Sequence, residues 1–403
     1  SKFVGDSWEI NVNATASSKG LYDDMSVVAS APLNRDNAAL MVFNGLNTKM
    51  VEYDYKLNTV NGNLVTVAIA KDRNVTLLND KFDLVTKYAY LTDASYNSDK
   101  GEYTYTLSTA ATMGSDAIAT DGYAKTSYTT DLDYTNLFGM KVAVLSKSTD
   151  GEVYGLFAED SKVLGTGVVG DIKDVSGTEF KLGDVKYELT DAAASTPVWD
   201  LYGAENAKNL SNVNAAGGPN KYNAISLIDN TGDGKVDVVI MTPVTPVKVS
   251  FSSKTSFTYA PAVDAVSSVK YEDVNTGNAT FAKGDILLAT SKTNAVDGKT
   301  TFVKAETVSG KIAAQKTGEF QVNGTWYKAA TMAGSESIAL GDTVKLTVVN
   351  GYYVYAEKTS STSTDLLVVT AKSATADLDG NYDAKVVFTD GTISTVKIDN
   401  GTV

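Results

Sequence analysis

The sequence predicts a mainly β protein: a small α-helical unit at the N-terminus, then tandem β-sandwich or barrel-like domains. Beyond about residue 55, Val, Thr, Tyr and Ile alternate in short runs broken by Gly, Asn and Asp every eight to twelve residues, the pattern of strands half-buried on a pleated sheet. Examples are Leu64 to Ala70, Tyr103 to Leu107, Lys141 to Leu145, Val236 to Met241, Val344 to Val349 and Ala384 to Phe388. Asn61-Gly62, Asp150-Gly151, Asp297-Gly298, Asn323-Gly324, Asn350-Gly351 and Asp390-Gly391 are the dipeptides that tight hairpins select, because both central residues take positive φ.

The N-terminal stretch has a different period. Trp8, Ile10, Ala14 and Ala16 to Ser18, then Ala38, Ala39, Met41, Val42, Phe43 and Leu46, fall at helical spacing. Asp6 or Ser7 is positioned to cap the first helix and Asn34 the second, and Gly20 and Gly45 read as stop signals.

The β tract repeats itself. Gly170-x-Ile172, Glu179-Phe180-x-Leu182 and Tyr187 recur 140 residues later as Gly310-x-Ile312, Glu319-Phe320-x-Val322 and Tyr327. Gly139-Met140-Lys141-Val142, Gly284-Asp285-Ile286-Leu287 and Gly341-Asp342-Thr343-Val344 form a second recurrent opening. Diverged copies of one β-module are the economical reading, with expected divisions 1–54 (helical unit), 55–165, 166–250, 251–356 (β-domains) and 357–403 (a partial β-domain). Residues 197–220, with Pro197, Gly217, Gly218 and Pro219, read as a long loop, and Ser360 to Thr364 as a linker.

Composition excludes several chemistries. The chain has no Cys and no His, which removes Cys/His metal sites, His-dependent nucleophile dyads and thiol redox chemistry. A net charge of -13 opposes nucleic acid as a partner. No run of about 20 apolar residues is present to span a membrane, and residues 1–20 do not read as a signal peptide. Opening at Ser1-Lys2-Phe3 and closing in a strand pattern, the chain reads as a fragment of something longer. Its glutamates are scattered, no carboxylate pair stands out for glycoside hydrolysis, and no catalytic residue is expected.

Residues 3–46 resemble a unit of the surface-layer homology (SLH) family of bacterial cell envelopes. The resemblance rests on Phe3 and Trp8 opening the first helix, Gly20-Leu21 in the following turn, and Leu33-Asn34-Arg35-Asp36-Asn37-Ala38-Ala39 opening the second. It covers about a tenth of the chain. Asn34 stands where the family has Thr, and Asn37 where it has Glu. The resemblance implies binding of anionic secondary cell-wall polysaccharide, with Trp8, Gly20 and Arg35 as the polysaccharide-binding residues. Arg35 suits this because a guanidinium offers a bidentate fork to a carboxylate; the alternative is that it only caps or pairs locally. The β tract is similar, more loosely, to the self-assembling regions that follow such units.

Asp229-Asn230-Thr231-Gly232-Asp233-Gly234-Lys235-Val236-Asp237 places aspartates at positions 1, 5 and 9 with Gly at 6, the spacing of a calcium loop. Asp229, Asp233 and Asp237 are therefore candidate calcium ligands, the alternative being a solvated acidic hairpin. Asp377-x-Asp379-Gly380-Asn381-x-Asp383 is a weaker candidate that reads as a turn. Strand tyrosines such as Tyr53, Tyr55, Tyr103, Tyr105 and Tyr353 are open to two readings, carbohydrate or protein contact and cross-strand packing.

Together these observations lead to the expectation of a non-enzymatic, extracellular component of a bacterial surface layer, held at the cell wall by polysaccharide and self-associating into a lattice, with calcium as the expected cofactor. The alternative is a wall-anchored monomeric adhesin or carbohydrate-binding surface protein. A hydrolase whose catalytic domain lies elsewhere is a third possibility.

Overall fold

A computed structural model describes residues 4–26, 32–61, 63–108, 127–148, 151–158, 160–202, 209–213, 221–359, 367–378, 380–388 and 391–398. Expectations placed on Phe3, Gly62, Asp150, Glu159, Gly217 to Pro219, Ser360 to Thr364, Asp379 and Asp390 lie outside these residues.

The chain is mainly β, with its principal helices at the N-terminus. Helix α1 (Trp8–Ser18) starts after Ser7, and α2 (Arg35–Asn47) is capped by Asn34, whose side chain accepts the Asn37 N–H at 2.7 Å. Gly45 does not stop α2; it lies within it, two residues before the last helical residue. Segment 19–26 bonds to both helices: Tyr22 donates to Asn13 Oδ1 at 2.8 Å, and Asn44 Nδ2 donates to the carbonyls of Leu21 and Asp23. Neither helix buries a residue. A short α3 (Leu77–Phe82), too brief to show a period in sequence, joins a two-stranded ribbon, β1 (Lys49–Val60) and β2 (Asn63–Thr76), to the remainder of the β tract.

Four β-modules follow, and their strand order is the same. The first is β3 (Leu84–Asn97), β4 (Glu102–Ser108), β5 (Ser127–Thr130), β6 (Lys141–Lys147) and β7 (Val153–Ala158), arranged β5-β4-β3-β6-β7. In the second, a 3₁₀ turn at Val169–Asp171 divides the leading strand into β8 (Lys162–Val168) and β9 (Ile172–Ser176). Strand β9 pairs with β10 (Glu179–Leu182) and β10 with β11 (Val185–Glu188), while β8 pairs with β13 (Ala224–Asp229) and β13 with β14 (Val238–Thr242). Its β12 (Val198–Asp200) adds in parallel to β14.

The third module, β15 (Thr245–Ser252), β16 (Ser256–Val263), β17 (Val266–Lys270), β18 (Ile286–Thr290) and β19 (Thr301–Lys304), has order β17-β16-β15-β18-β19. The fourth, β20 (Glu306–Lys316), β21 (Glu319–Val322), β22 (Thr325–Ala329), β23 (Thr343–Val349) and β24 (Tyr352–Lys358), repeats that order and closes into a barrel through a parallel β22–β24 pairing. Modules two and three make the corresponding parallel bridge at Leu189–Val236 and Asn275–Thr301. A three-stranded sheet, β25 (Leu367–Lys372), β26 (Tyr382–Phe388) and β27 (Ile393–Ile398), ends the described chain.

The repeat at offset 140 is a repeat of pairing. Phe180 faces Tyr187 across β10 and β11, as Phe320 faces Tyr327 across β21 and β22; Ile172 pairs with Leu182 as Ile312 pairs with Val322. The glycines belong to the same logic. A Cβ at Gly310 would lie 2.5 Å from Asn323 Oδ1, and one at Gly170 would collide with the Tyr352 hydroxyl.

The second recurrent motif ties the leading strand at a bulge. Gly139, Gly284 and Gly341, at φ 82°, 94° and 92°, donate to the carbonyls of Leu91, Val249 and Ile312, and those residues donate back to the carbonyls of Met140, Asp285 and Asp342. Leu91, Val249 and Ile312 are buried, each beside a shift in strand register. In module two Val169, also buried, donates to the Asn223 carbonyl in the same place.

The expected divisions at 54, 165, 250 and 356 all fall within strands, and the stretch 251–356 holds most of the third module and nearly all of the fourth. Gly139, Gly284 and Gly341 open the fourth strand of a module, so this motif marks the middle of a module and not its start. Apolar residues cross the joints as well. Trp199, Ile228, Val238 and Ile240 of the second module complete the core of the first; Val168 and Tyr222 pack with Val349, Tyr352 and Val354 of the fourth; Ile286 of the third packs with Tyr355.

The Asn323-Gly324 and Asn350-Gly351 turns have both residues at positive φ, as type I′ geometry requires. Asp297-Gly298 is not a two-residue turn; it lies in the longer loop that joins the antiparallel pair β18 and β19, and Asp297 is not at positive φ.

The glycine tie gives a direct test. Open space surrounds a Cβ built at Gly284, so Gly284→Ala carries only the conformational cost of its φ of 94°, about 1 to 2 kcal/mol. The expected outcome is a lower urea midpoint with unchanged far-UV circular dichroism.

Candidate functional site

The calcium-like loop is a closely hydrogen-bonded acidic element. Asp229 ends β13 with no exposed surface, and its carboxylate accepts the N–H groups of Thr231 at 3.0 Å, Gly232 at 2.7 Å and Gly234 at 2.8 Å, with Lys162 Nζ 3.5 Å away. Gly232 and Gly234 take φ 78° and 85°, the turn that the sequence spacing implied. Burial alone would raise the Asp229 carboxyl; the amides of Gly234, Gly232 and Thr231 and the charge of Lys162 outweigh it and hold the group below the ordinary aspartate value.

Asp237 is turned to other partners. Its oxygens accept the Thr190 hydroxyl and the Asn230 N–H, both at 2.6 Å. Burial dominates here, and with the negative charges of Asp229 and Asp233 it raises the carboxyl despite those two hydrogen bonds. Asp233 accepts the Lys235 N–H at 2.8 Å. The structure thus places the three aspartates in one loop, each engaged by the loop's own groups or by Thr190, and among the described residues no group of three or more carboxylates is gathered as a metal site.

Sequence reasoning passed over Asn230, the residue that gives the loop its role. Its side chain is buried and reaches into module one: Oδ1 accepts the Lys141 N–H at 2.8 Å and the Ser161 hydroxyl at 2.9 Å, while Nδ2 donates to the Gly139 carbonyl at 3.1 Å. Asp237 holds the Asn230 main chain and the Asp229 loop fixes the turn, so the acidic segment works as a latch between the first and second modules. No spacing rule announces such a residue; its only signal was Asn within an Asp-rich turn.

The helical unit distributes its three candidate residues. Trp8 opens α1 and is half-exposed at 49%. Arg35 opens α2, exposed, with no ion pair or hydrogen bond to its side chain among the described residues. Gly20 follows α1 at φ 75°, where a Cβ would sit 2.7 Å from Asp23 Oδ2. Its neighbour Lys19 accepts the Thr48 hydroxyl at 3.2 Å, so this turn lies by the C-terminus of α2, roughly 20 Å along the helix from Arg35 at 1.5 Å per residue. Gly20 therefore shapes the turn, and the structure does not bring it to Arg35. Phe43 of α2 meets Phe157 of β7 edge-on at 5.7 Å, and Lys19 pairs with Asp72 of β2 at 2.5 Å, which fixes the unit to ribbon and first module.

The tyrosines divide in two. Tyr105 is fully buried, donates to the Leu132 carbonyl and accepts the Tyr134 N–H at 2.6 Å; burial pushes its phenol up to about 12. Tyr352, Tyr353 and Tyr355 are likewise buried, whereas Tyr53 and Tyr55 on the ribbon stand 60% and 72% exposed.

Among the described residues no helix is long and apolar enough to cross a membrane. Compared with known proteins, the chain matches no family model and no curated protein.

Two outcomes check the latch. Asn230→Ala leaves the Lys141 N–H and Gly139 carbonyl without their partner, at an expected cost of about 2 to 4 kcal/mol, read as earlier urea unfolding and faster proteolysis at the joint of the first two modules. Because the folded Asp229 carboxyl lies below its unfolded value, its stabilisation is present above about pH 4 and fades as pH falls through the folded value. Asp229→Asn is accordingly expected to be clearly less stable than wild type at pH 7, with the gap narrowing as pH falls below about 4 in parallel urea titrations.

Proposed function

We propose that this protein is a structural component of a bacterial surface layer, held to the wall through its N-terminal helical unit and assembled through its β-modules. The observation that carries the reading is the repetition itself: four modules of one strand order follow a capped two-helix unit. Repeated modules suit a scaffold, where each copy offers similar surfaces in series. The guanidinium of Arg35, exposed and unpaired among the described residues beside a polar helix start, suits an acidic sugar of secondary wall polysaccharide, with the indole of Trp8 as a second exposed contact. Extracellular location follows from this reading.

Calcium enters the proposal as a counter-ion that lowers repulsion between copies carrying -13 each, and the 229–237 loop serves as a latch within the copy. The non-enzymatic reading is part of the same proposal.

The test is retention on purified wall sacculi. Arg35→Ala is expected to reduce binding to polysaccharide-bearing sacculi by about tenfold, the worth of a charge-assisted bidentate contact, while urea unfolding of the β-modules stays unchanged. Equal retention of wild type and variant would remove Arg35 from the reading. Negative-stain microscopy, with calcium and with chelator, then separates an array from a monomeric adhesin.

A further inference from the structure

The β1–β2 ribbon is a two-stranded sheet with long exposed apolar side chains, an arrangement that is marginal when it stands alone in water. Its register sorts the residues into two unlike faces. On one, Glu52, Asp54 and Lys56 of β1 alternate with Val67, Ile69 and Lys71 of β2, and Lys71 pairs with Glu52 at 2.8 Å and Asp54 at 3.2 Å. On the other, Tyr53 faces Ala70, Tyr55 faces Ala68 and Leu57 faces Thr66, with no charge along that stretch.

This second face is uneven in a regular way. From Tyr53 to Leu57 the large side chains lie on β1, exposed at 60%, 72% and 72%, with the small Ala70, Ala68 and Thr66 opposite on β2; at the next pair the sides exchange, Leu64 of β2 (73% exposed) facing the small Thr59 of β1. The result is a ridge beside a furrow. A second copy related by a two-fold axis along the strands sets each ridge over the partner's furrow, the self-complementary geometry of an isologous contact.

Charge points to the same occupant. Residues 49–76 carry four basic side chains (Lys49, Lys56, Lys71, Arg73) against three acidic (Glu52, Asp54, Asp72), in a chain whose net charge is -13. Two copies meeting here avoid the like-charge repulsion that the acidic remainder imposes. We propose that the Tyr53–Tyr55–Leu57 face of the ribbon is a self-association surface that pairs with the same face of a second copy.

The size of the surface sets the strength. At about 3.3 Å per residue and two strands' width, the Tyr53–Leu57 stretch offers a footprint of roughly 160 Å² per copy, and even the full ribbon roughly 400 Å² per copy or roughly 800 Å² for the pair, below the ~1,200 Å² total of a stable dimer. The pair is therefore weak in dilute solution and gains strength where copies are held side by side. The inference deepens the array reading by naming one of its contacts.

The experiment is sedimentation velocity of the full chain from micromolar to about 1 mM, with Tyr55→Asp and Ala68→Lys as variants. Wild type is expected to dimerise with concentration, each variant to associate at least tenfold more weakly, and an equimolar mixture of the two to regain dimer, because Asp at 55 then faces Lys at 68 of the other copy. Lys56→Ser, on the opposite face, is expected to behave as wild type. Circular dichroism and urea unfolding confirm that each variant keeps its β-modules.

Monomeric wild type throughout, or variants that associate like wild type, would overturn the proposal, and a mixture that stays monomeric would overturn the ridge-in-furrow geometry. Ordered sheets in the microscope from a chain that is monomeric by this measure sink the ribbon contact and leave the array reading standing. Paired ribbons without sheets support the contact and count against the array.

Discussion

Three of the four β-modules share a reciprocal pair of main-chain hydrogen bonds at the bulge of the leading strand, and the second makes one bond, from Val169 to the Asn223 carbonyl, in the same place. A bulge turns the strand and leaves an unmatched residue, and a buried main-chain group without a partner is costly. Glycine at positive φ, where side-chain residues are strained, lets the incoming chain lie close enough to answer both groups of the bulged residue. With the bend fixed, Leu91, Val249 and Ile312 point into their cores and the sheet curves until its outer strands approach. In the third and fourth modules the tie is accompanied by a parallel bridge, at Asn275–Thr301 and Lys328–Tyr352 respectively.

What the sequence made legible follows from the range of the forces involved. Local rules worked where the cause is local: Asn34 caps α2, and Asn323-Gly324 and Asn350-Gly351 make the turns their φ preferences favour. The offset of 140 was legible because paired strands repeat their side-chain alternation together. Module limits were not legible, since the glycine motif that stands out in sequence belongs to the interior of a module, and composition changes only after β1 has begun. Nor does any local pattern distinguish an aspartate that turns a loop from one that holds a cation; Asp229 has the spacing of a ligand and the hydrogen bonds of a cap. Asn230 acts on residues some ninety positions away, which no window of sequence encloses.

The helical unit and the β-modules stand on different energetic footing. The modules bury continuous apolar clusters, while α1 and α2 bury no residue and rely on the Asn34 cap of α2, on the hydrogen bonds of segment 19–26 and on the Phe43–Phe157 contact; the expected side-chain cap of α1 by Ser7 is not made.

Contacts between modules that are not neighbours in sequence bear on the order in which the chain can mature. In a simple row of beads each unit touches only the next, and each can settle as soon as it appears. Here Val168 and Tyr222 wait for Tyr352 and Val354, which leave the ribosome more than a hundred residues later, and Tyr96 bonds to Val296 across a comparable interval. At roughly 5 to 20 residues per second, the second module spends many seconds with that apolar seam uncovered. Vectorial emergence therefore leaves the apolar seam of the second module open until the fourth has been made.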